Sequence, residues 1–114
     1  MAYLDVQLVI ASGGTTSGAA VVPSGYRLQS IEVPTIDNAT LAVELSADGA
    51  TWRTPYDASG SIGQVQGAST GNLVVVLGEV LSRATEGRSV RIVAGAAQTG
   101  GQRVLVGRCV TAEG

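Results

Sequence analysis

Histidine, lysine and phenylalanine are absent from the 114 residues, Cys109 is the single cysteine, and aromatic residues make up 4%. General acid–base catalysis at neutral pH most often uses His, and Ser or Cys nucleophiles usually need it as their base. Its absence removes both the Ser-His-Asp arrangement and the His-ligated metal centre, so no enzymatic activity is expected. One cysteine cannot close an intramolecular disulfide, so stability must come from burial, and the chain reads as one made in a reducing compartment. With so few rings, the core must be built from Val, Leu, Ile and Ala. No apolar run approaches the roughly 20 residues of a membrane span. Met1-Ala2 leads directly into Tyr3-Leu4-Asp5-Val6 with no positive leader region, which reads as cytoplasmic synthesis without a secretory signal. Charge is sparse as well. Nine acidic and seven basic residues leave a net −2, and the basic residues, all Arg, are scattered from Arg27 to Arg108. That pattern excludes a phosphate-tracking stripe, so neither nucleic acid nor membrane is an expected partner.

What the chain does have is alternation and glycine. Sixteen glycines punctuate short apolar runs, and no linker or low-complexity tract divides the sequence, so residues 1–114 read as a single domain. Leu4, Val6, Leu8 and Ile10 share one face of a first strand over about 3–11. Ala19 to Val22 reads as a minor strand. A fuller one covers about 26–33, where the apolar phase changes between Leu28 and Ile31 and predicts a β-bulge near Gln29-Ser30. Residues 39–47 alternate cleanly, with Ala39, Leu41, Val43 and Leu45 inward and Glu44 exposed. Ala47-Asp48-Gly49-Ala50 reads as a tight turn, since Gly supplies the positive φ that hairpin turns need. The return strand is expected at about 51–56 and a weak strand at Ile62 to Gln66. Leu73 to Leu77, apolar on both faces, reads as a central strand. Gly78 to Gly87 fits one short helical turn with Val80, Leu81 and Ala84 inward. Strands at Val90 to Ala94 and Val104 to Val110 complete the set. Together these predict an all-β fold, an antiparallel β-sandwich (jelly roll) of about eight strands with at most one short helical turn; a small up-and-down barrel is the alternative.

Few residues invite chemistry. Asp48 and Asp57 flank Trp52, which resembles a glycosidase carboxylate pair beside a sugar-stacking ring, but Asp48 belongs to a turn where Asp is favoured for local hydrogen bonds. Asp37, Asn38, Asp48 and Asp57 offer hard oxygens without any Ca²⁺-loop spacing, so no metal is expected. Gly13-Gly14 and Gly100-Gly101 lie outside any strand-to-helix junction and read as turns, so no cofactor is expected either. Asn38-Ala39-Thr40 matches a glycosylation sequon that a chain without a leader would not expose to glycosylation. Trp52, Tyr56 and Tyr26 remain as a candidate interface or ligand platform, with packing the commoner use of a lone Trp. Cys109, among valines, is expected to be a buried inert thiol.

Three segments resemble the discoidin-like, galactose-binding jelly-roll family: Leu45 to Trp52 (its S-x-DG-x-x-W hairpin), Gly87-Arg88-Ser89-Val90-Arg91-Ile92, and Val104-Leu105-Val106-Gly107-Arg108-Cys109. That family usually closes its domain with a disulfide, for which Cys109 has no partner here. A second resemblance covers the whole chain. Gly25-Tyr26-Arg27-Leu28-Gln29-Ser30-Ile31-Glu32-Val33-Pro34 and the Leu41-to-Gly60 block are similar to small proteins of tailed bacteriophages. It implies a virion structural protein, a capsid decoration or cement protein made in the host cytoplasm. Its implied partners are the major capsid protein or another virion protein. The alternative is a non-catalytic carbohydrate-binding jelly-roll module or tail-associated adhesion protein. Because Leu73 to Leu77 and Val104 to Val110 are apolar on both faces, a homo-oligomer is expected, a trimer by analogy with decoration proteins.

Overall fold

A 21-residue strand, β3 (Tyr26–Ser46), runs through the middle of the molecule and organises the rest. In the computed structural model, which describes residues 2–112, it is accompanied by β1 (Tyr3–Ile10), β2 (Ala20–Val21), β6 (Gln64–Val76), β7 (Ser89–Ala94) and β8 (Arg103–Thr111). A two-residue hairpin, β4 (Tyr56–Asp57) and β5 (Gly60–Ser61), and one helix, α1 (Glu79–Ala84), complete it. The buried positions of β3 are Leu28, Ile31, Val33, Ile36, Ala39, Leu41, Val43 and Leu45. Strict alternation would space them by two. The steps of three at 28–31, 33–36 and 36–39 mark irregularities. The first is the bulge expected near Gln29-Ser30, seen as a register shift against β8 between Leu28 and Ser30. The others bend the strand around Pro34 to Asn38.

That bend changes β3's partner. Its first half pairs with β8 (Tyr26↔Thr111 to Glu32↔Val106), and its second half pairs with β7 (Leu41↔Ala94 to Ser46↔Ser89). On its other side β6 follows both halves antiparallel, from Ser30↔Val76 to Ala42↔Gln64. The hydrogen-bonded network is therefore one six-stranded sheet, folded at the bend into two layers. One layer runs β1, β8, first half of β3, end of β6; the other runs β2, β7, second half of β3, start of β6. Counting the halves separately gives eight strands in jelly-roll order. A bridge of the segment Thr15–Gly18 to both β1 and β7 (Ile10↔Ser17, Thr16↔Val93) half-closes the open side, which gives the molecule a barrel-like outline.

Between the layers lies a core of aliphatic side chains, with Leu8, Ile10, Leu28, Val43 and Leu105 all fully buried. Cys109 is buried there as a free thiol, and burial pushes its pKa up to about 11, so it is inert as a nucleophile at neutral pH.

Several expectations change. The strands expected at about 26–33 and 39–47 are one, β3, and those at Ile62 to Gln66 and Leu73 to Leu77 fall in one, β6. Leu73 to Leu77 is not central: β3 holds the middle, and β6 has a partner on one side only, so Val75 and Leu77 face the core while Val74 and Val76 face water. The return strand shrinks to Arg53, whose N–H and C=O both bond Leu45. The chain cannot continue along β3 because the Gly63 carbonyl takes the Val43 N–H and Pro55 lacks a donor, so residues 54–62 leave the sheet. In α1, Leu81 is buried but Val80 is exposed, because Ser82 and, just past the helix end, Thr85 take the inward side. Thr85 Oγ1 accepts the Leu28 N–H at 2.7 Å, and Ser82 Oγ donates to the Leu28 carbonyl at 2.6 Å. The helix thus satisfies the stretch of β3 that β6 does not reach.

Candidate functional site

The loop after β3 is built by its own polar groups. Ser46 Oγ accepts the Gly49 N–H and donates to Asp48 Oδ1, which also accepts the N–H groups of Ala50 and Thr51, each at 2.9 Å. Those donors hold the Asp48 carboxyl at about 2. The turn is longer than a tight hairpin, since the Leu45–Arg53 pair brackets residues 46–52. Asp57 is engaged the same way by the hydroxyl and N–H of Ser59, which lower its pKa. Asp37 accepts from the hydroxyl and N–H of Thr99 and from the Arg103 guanidinium at 2.7 Å, which together hold it at about 2. Each of these carboxylates is thus spent locally, and no three metal-ligating side chains come together among the described residues.

The bend of β3 depends on a residue with no signature in the sequence. Gln98 is fully buried in the turn between β7 and β8. Its Oε1 accepts the Asp37 N–H at 2.8 Å, and its Nε2 donates to the carbonyls of Asp37 and Ala96. Its backbone bonds Gly13 and Gly14. One residue therefore ties the bend to two loops, through its side-chain amide and its backbone.

The three rings have separate settings. Trp52 is half-buried with the Arg91 guanidinium 4.5 Å over its ring. Arg91 is also bonded to Glu44 at 2.7 Å, so Glu44 is half-buried and paired rather than freely exposed. Tyr26 packs against the core at the start of β3. Tyr56, 69% exposed, stands at the rim of a groove.

That groove lies between the 46–63 excursion and α1. One end, about 410 Å³, is lined by Leu45, Tyr56, Ile62, Val80 and Ala84, with Arg53 and Arg88 beside them. It continues past Ile62 and Val80 into a second depression of about 460 Å³ that holds Val65, Val76, Asp57 and Glu79. Neither Trp52 nor Tyr26 lines it.

A second surface is the outward side of the β1–β8–β3–β6 layer. Its register sets Asp5, Arg108, Ser30 and Val76 in one row and Gln7, Val106, Glu32 and Val74 in the next. Val74 is 57% and Val76 73% exposed. Arg108 bonds Asp5 at 3.2 Å and lies over the Tyr3 ring. Among the described residues, no helix is long and apolar enough to cross a membrane.

No family model matches the chain, and no curated protein matches it. Among solved structures, the chain is similar to the core of the Drosophila protein NLP, whose crystal structure is described as giving insight into pentamer formation and histone binding. The two share 10% identity at a TM-score of 0.39, over 94% of this chain and 98% of that one. It is also similar to a chain of the capsid asymmetric unit of the cyanophage Pam1, at 17% identity and a TM-score of 0.33, over 94% and 82%. Both likenesses fall below the level at which a shared role follows.

Proposed function

We propose that this chain is a non-catalytic structural protein of a bacteriophage particle, a decoration or cement protein that docks on a capsid lattice. The observation that carries the reading is the outward valine face. In a two-layer sandwich the outer side of a strand is normally polar, yet Val74 and Val76 stand in water on an edge strand. No charged residue occurs from Gly67 to Gly78, so the edge lacks the usual guard against pairing. The resemblance of Gly25 to Pro34 and of the Leu41-to-Gly60 block to small phage proteins supports the same reading, and the absence of His fits a non-catalytic role. The partner is then the major capsid protein or another virion protein, and the free β6 edge favours a homo-oligomer, with a trimer expected at a local threefold axis. A sugar-stacking role for Trp52, Tyr56 and Tyr26 has less support, since Arg91 covers the Trp52 ring and Tyr26 packs on the core.

The test uses purified protein and particles that lack it. Rebinding should appear as added surface density by electron microscopy and should survive about 1 M salt, because apolar contacts are not screened. Val76→Lys should fold normally, given its exposure, but fail both to self-associate and to bind. A monomer at high concentration that leaves particles bare, or specific saturable binding on a glycan array, would overturn the reading.

A further inference from the structure

Seven arginines are present, and five of them reach a carboxylate at 3.2 Å or less: Arg27 and Arg83 share Glu79, Arg91 has Glu44, Arg103 has Asp37, and Arg108 has Asp5. Arg53 and Arg88 make no such pair among the described residues, and both line the same end of the groove along α1. They come from opposite sides of it, one from the excursion after β3 and the other from just before β7. A guanidinium that the fold does not neutralise is well suited to a carboxylate from outside, which it can hold through two parallel N–H donors.

We propose that this groove binds an extended segment of a partner protein, with an acidic side chain held between Arg53 and Arg88 and apolar side chains laid on Ile62 and Val80. Charge complementarity argues for the acid. Asp48, at the same end, makes no ion pair with either guanidinium among the described residues, and its single charge leaves the two arginines in excess. The floor argues for the apolar side chains: Val80 is 58% exposed although it sits in a concave surface, where an unfilled apolar wall is unfavourable. The two joined depressions argue for an extended segment over a compact ligand. The two ends of the groove differ in charge. An aspartate stands at each end, Asp48 near β7 and Asp57 at the far end, but only the end near β7 also holds Arg53 and Arg88, whereas Glu79 at the far end is shared by Arg27 and Arg83. This places the acid of the segment at the end near β7. The site shares Val76 with the outward valine face, but it rests on Arg53, Arg88, Ile62 and Val80, so the peptide titration reads it apart from particle binding.

The test titrates the full chain, observed by amide NMR spectra, with two capped heptapeptides that alternate leucine and alanine. One carries a central glutamate and the other a central glutamine. The glutamate peptide should shift the amides of Arg53, Tyr56, Ile62 and Val80 saturably and bind about tenfold tighter than its partner. The double variant Arg53→Gln/Arg88→Gln should keep the wild-type melting temperature and lose that tenfold difference, while Val80→Asp should weaken both peptides. Equal affinity for the two peptides, shifts located elsewhere, or no saturable shift at millimolar peptide would overturn the proposal. Tighter binding of free sialic acid at the same amides would also overturn it, by making the ligand an acidic sugar.

Discussion

Val43 and Glu44 are neighbours with opposite surroundings, and comparing them tests the register of β3. Val43 is fully buried, so Val43→Asp places an unpaired charge in the core at a cost of several kcal/mol and should prevent folding. Glu44→Ala loses a half-buried pair with Arg91 and should cost about 1 kcal/mol, read as a shifted urea midpoint, while Arg91 keeps its stack on Trp52. Similar losses at both positions would mean the register is wrong. A second test is acid. The Asp37 carboxyl titrates at about 2 in the fold against an ordinary 3.8, so the folded state holds fewer protons between those values. Its stabilising effect is full above about pH 4 and is lost as pH falls toward 2. The melting temperature should therefore drop over that window, and Asp37→Asn should drop less, from a lower starting point. Asp48, also held at about 2, leaves part of the fall in place.

At the scale of the element, α1 acts as a substitute strand. Thr85→Val keeps the shape but leaves the Leu28 N–H buried without an acceptor, which should cost about 1–3 kcal/mol in chemical denaturation. An unchanged midpoint would mean that water replaces the hydroxyl. The alternation from Ala39 to Leu45 and the bulge at Gln29-Ser30 were legible because period-two spacing, and a break in it, are local signals. The continuity of β3 was not. Pro34, Asp37 and Asn38 read as turn residues, and only Ile36, three from Val33 and three from Ala39, carries the trace of a strand that bends instead of ending. Gln98 and the groove were illegible for another reason. A buried amide inside a Gly-rich turn has no period, and Arg53 and Arg88 meet only because the excursion after β3 folds back over a helix. Val80 misled because three apolar residues on one short turn cannot all face inward when Ser82 and Thr85 are needed there.

For the whole molecule, the decisive feature is that β3 and β6 each pass through both layers, held as a pair from Ser30↔Val76 to Ala42↔Gln64. They turn sharply together. Opposite the Pro34 bend, Gly71 and Asn72 both take positive φ (81° and 59°), and a Cβ on Gly71 would overlap the Pro34 carbonyl oxygen. Neither layer can then separate without breaking the other. The order of folding follows. The β3–β6 pair joins residues close in sequence, whereas β1 meets β8 across nearly the full chain, as at Tyr3↔Val110. Loop-closure entropy favours the nearer contact first. The paired ribbon should zip as the nucleus, with the chain ends added last. Pulsed hydrogen exchange during refolding should protect the amides of residues 30–42 and 64–76 before those of 3–10 and 103–111, and protection of the outer pair first would reverse that order.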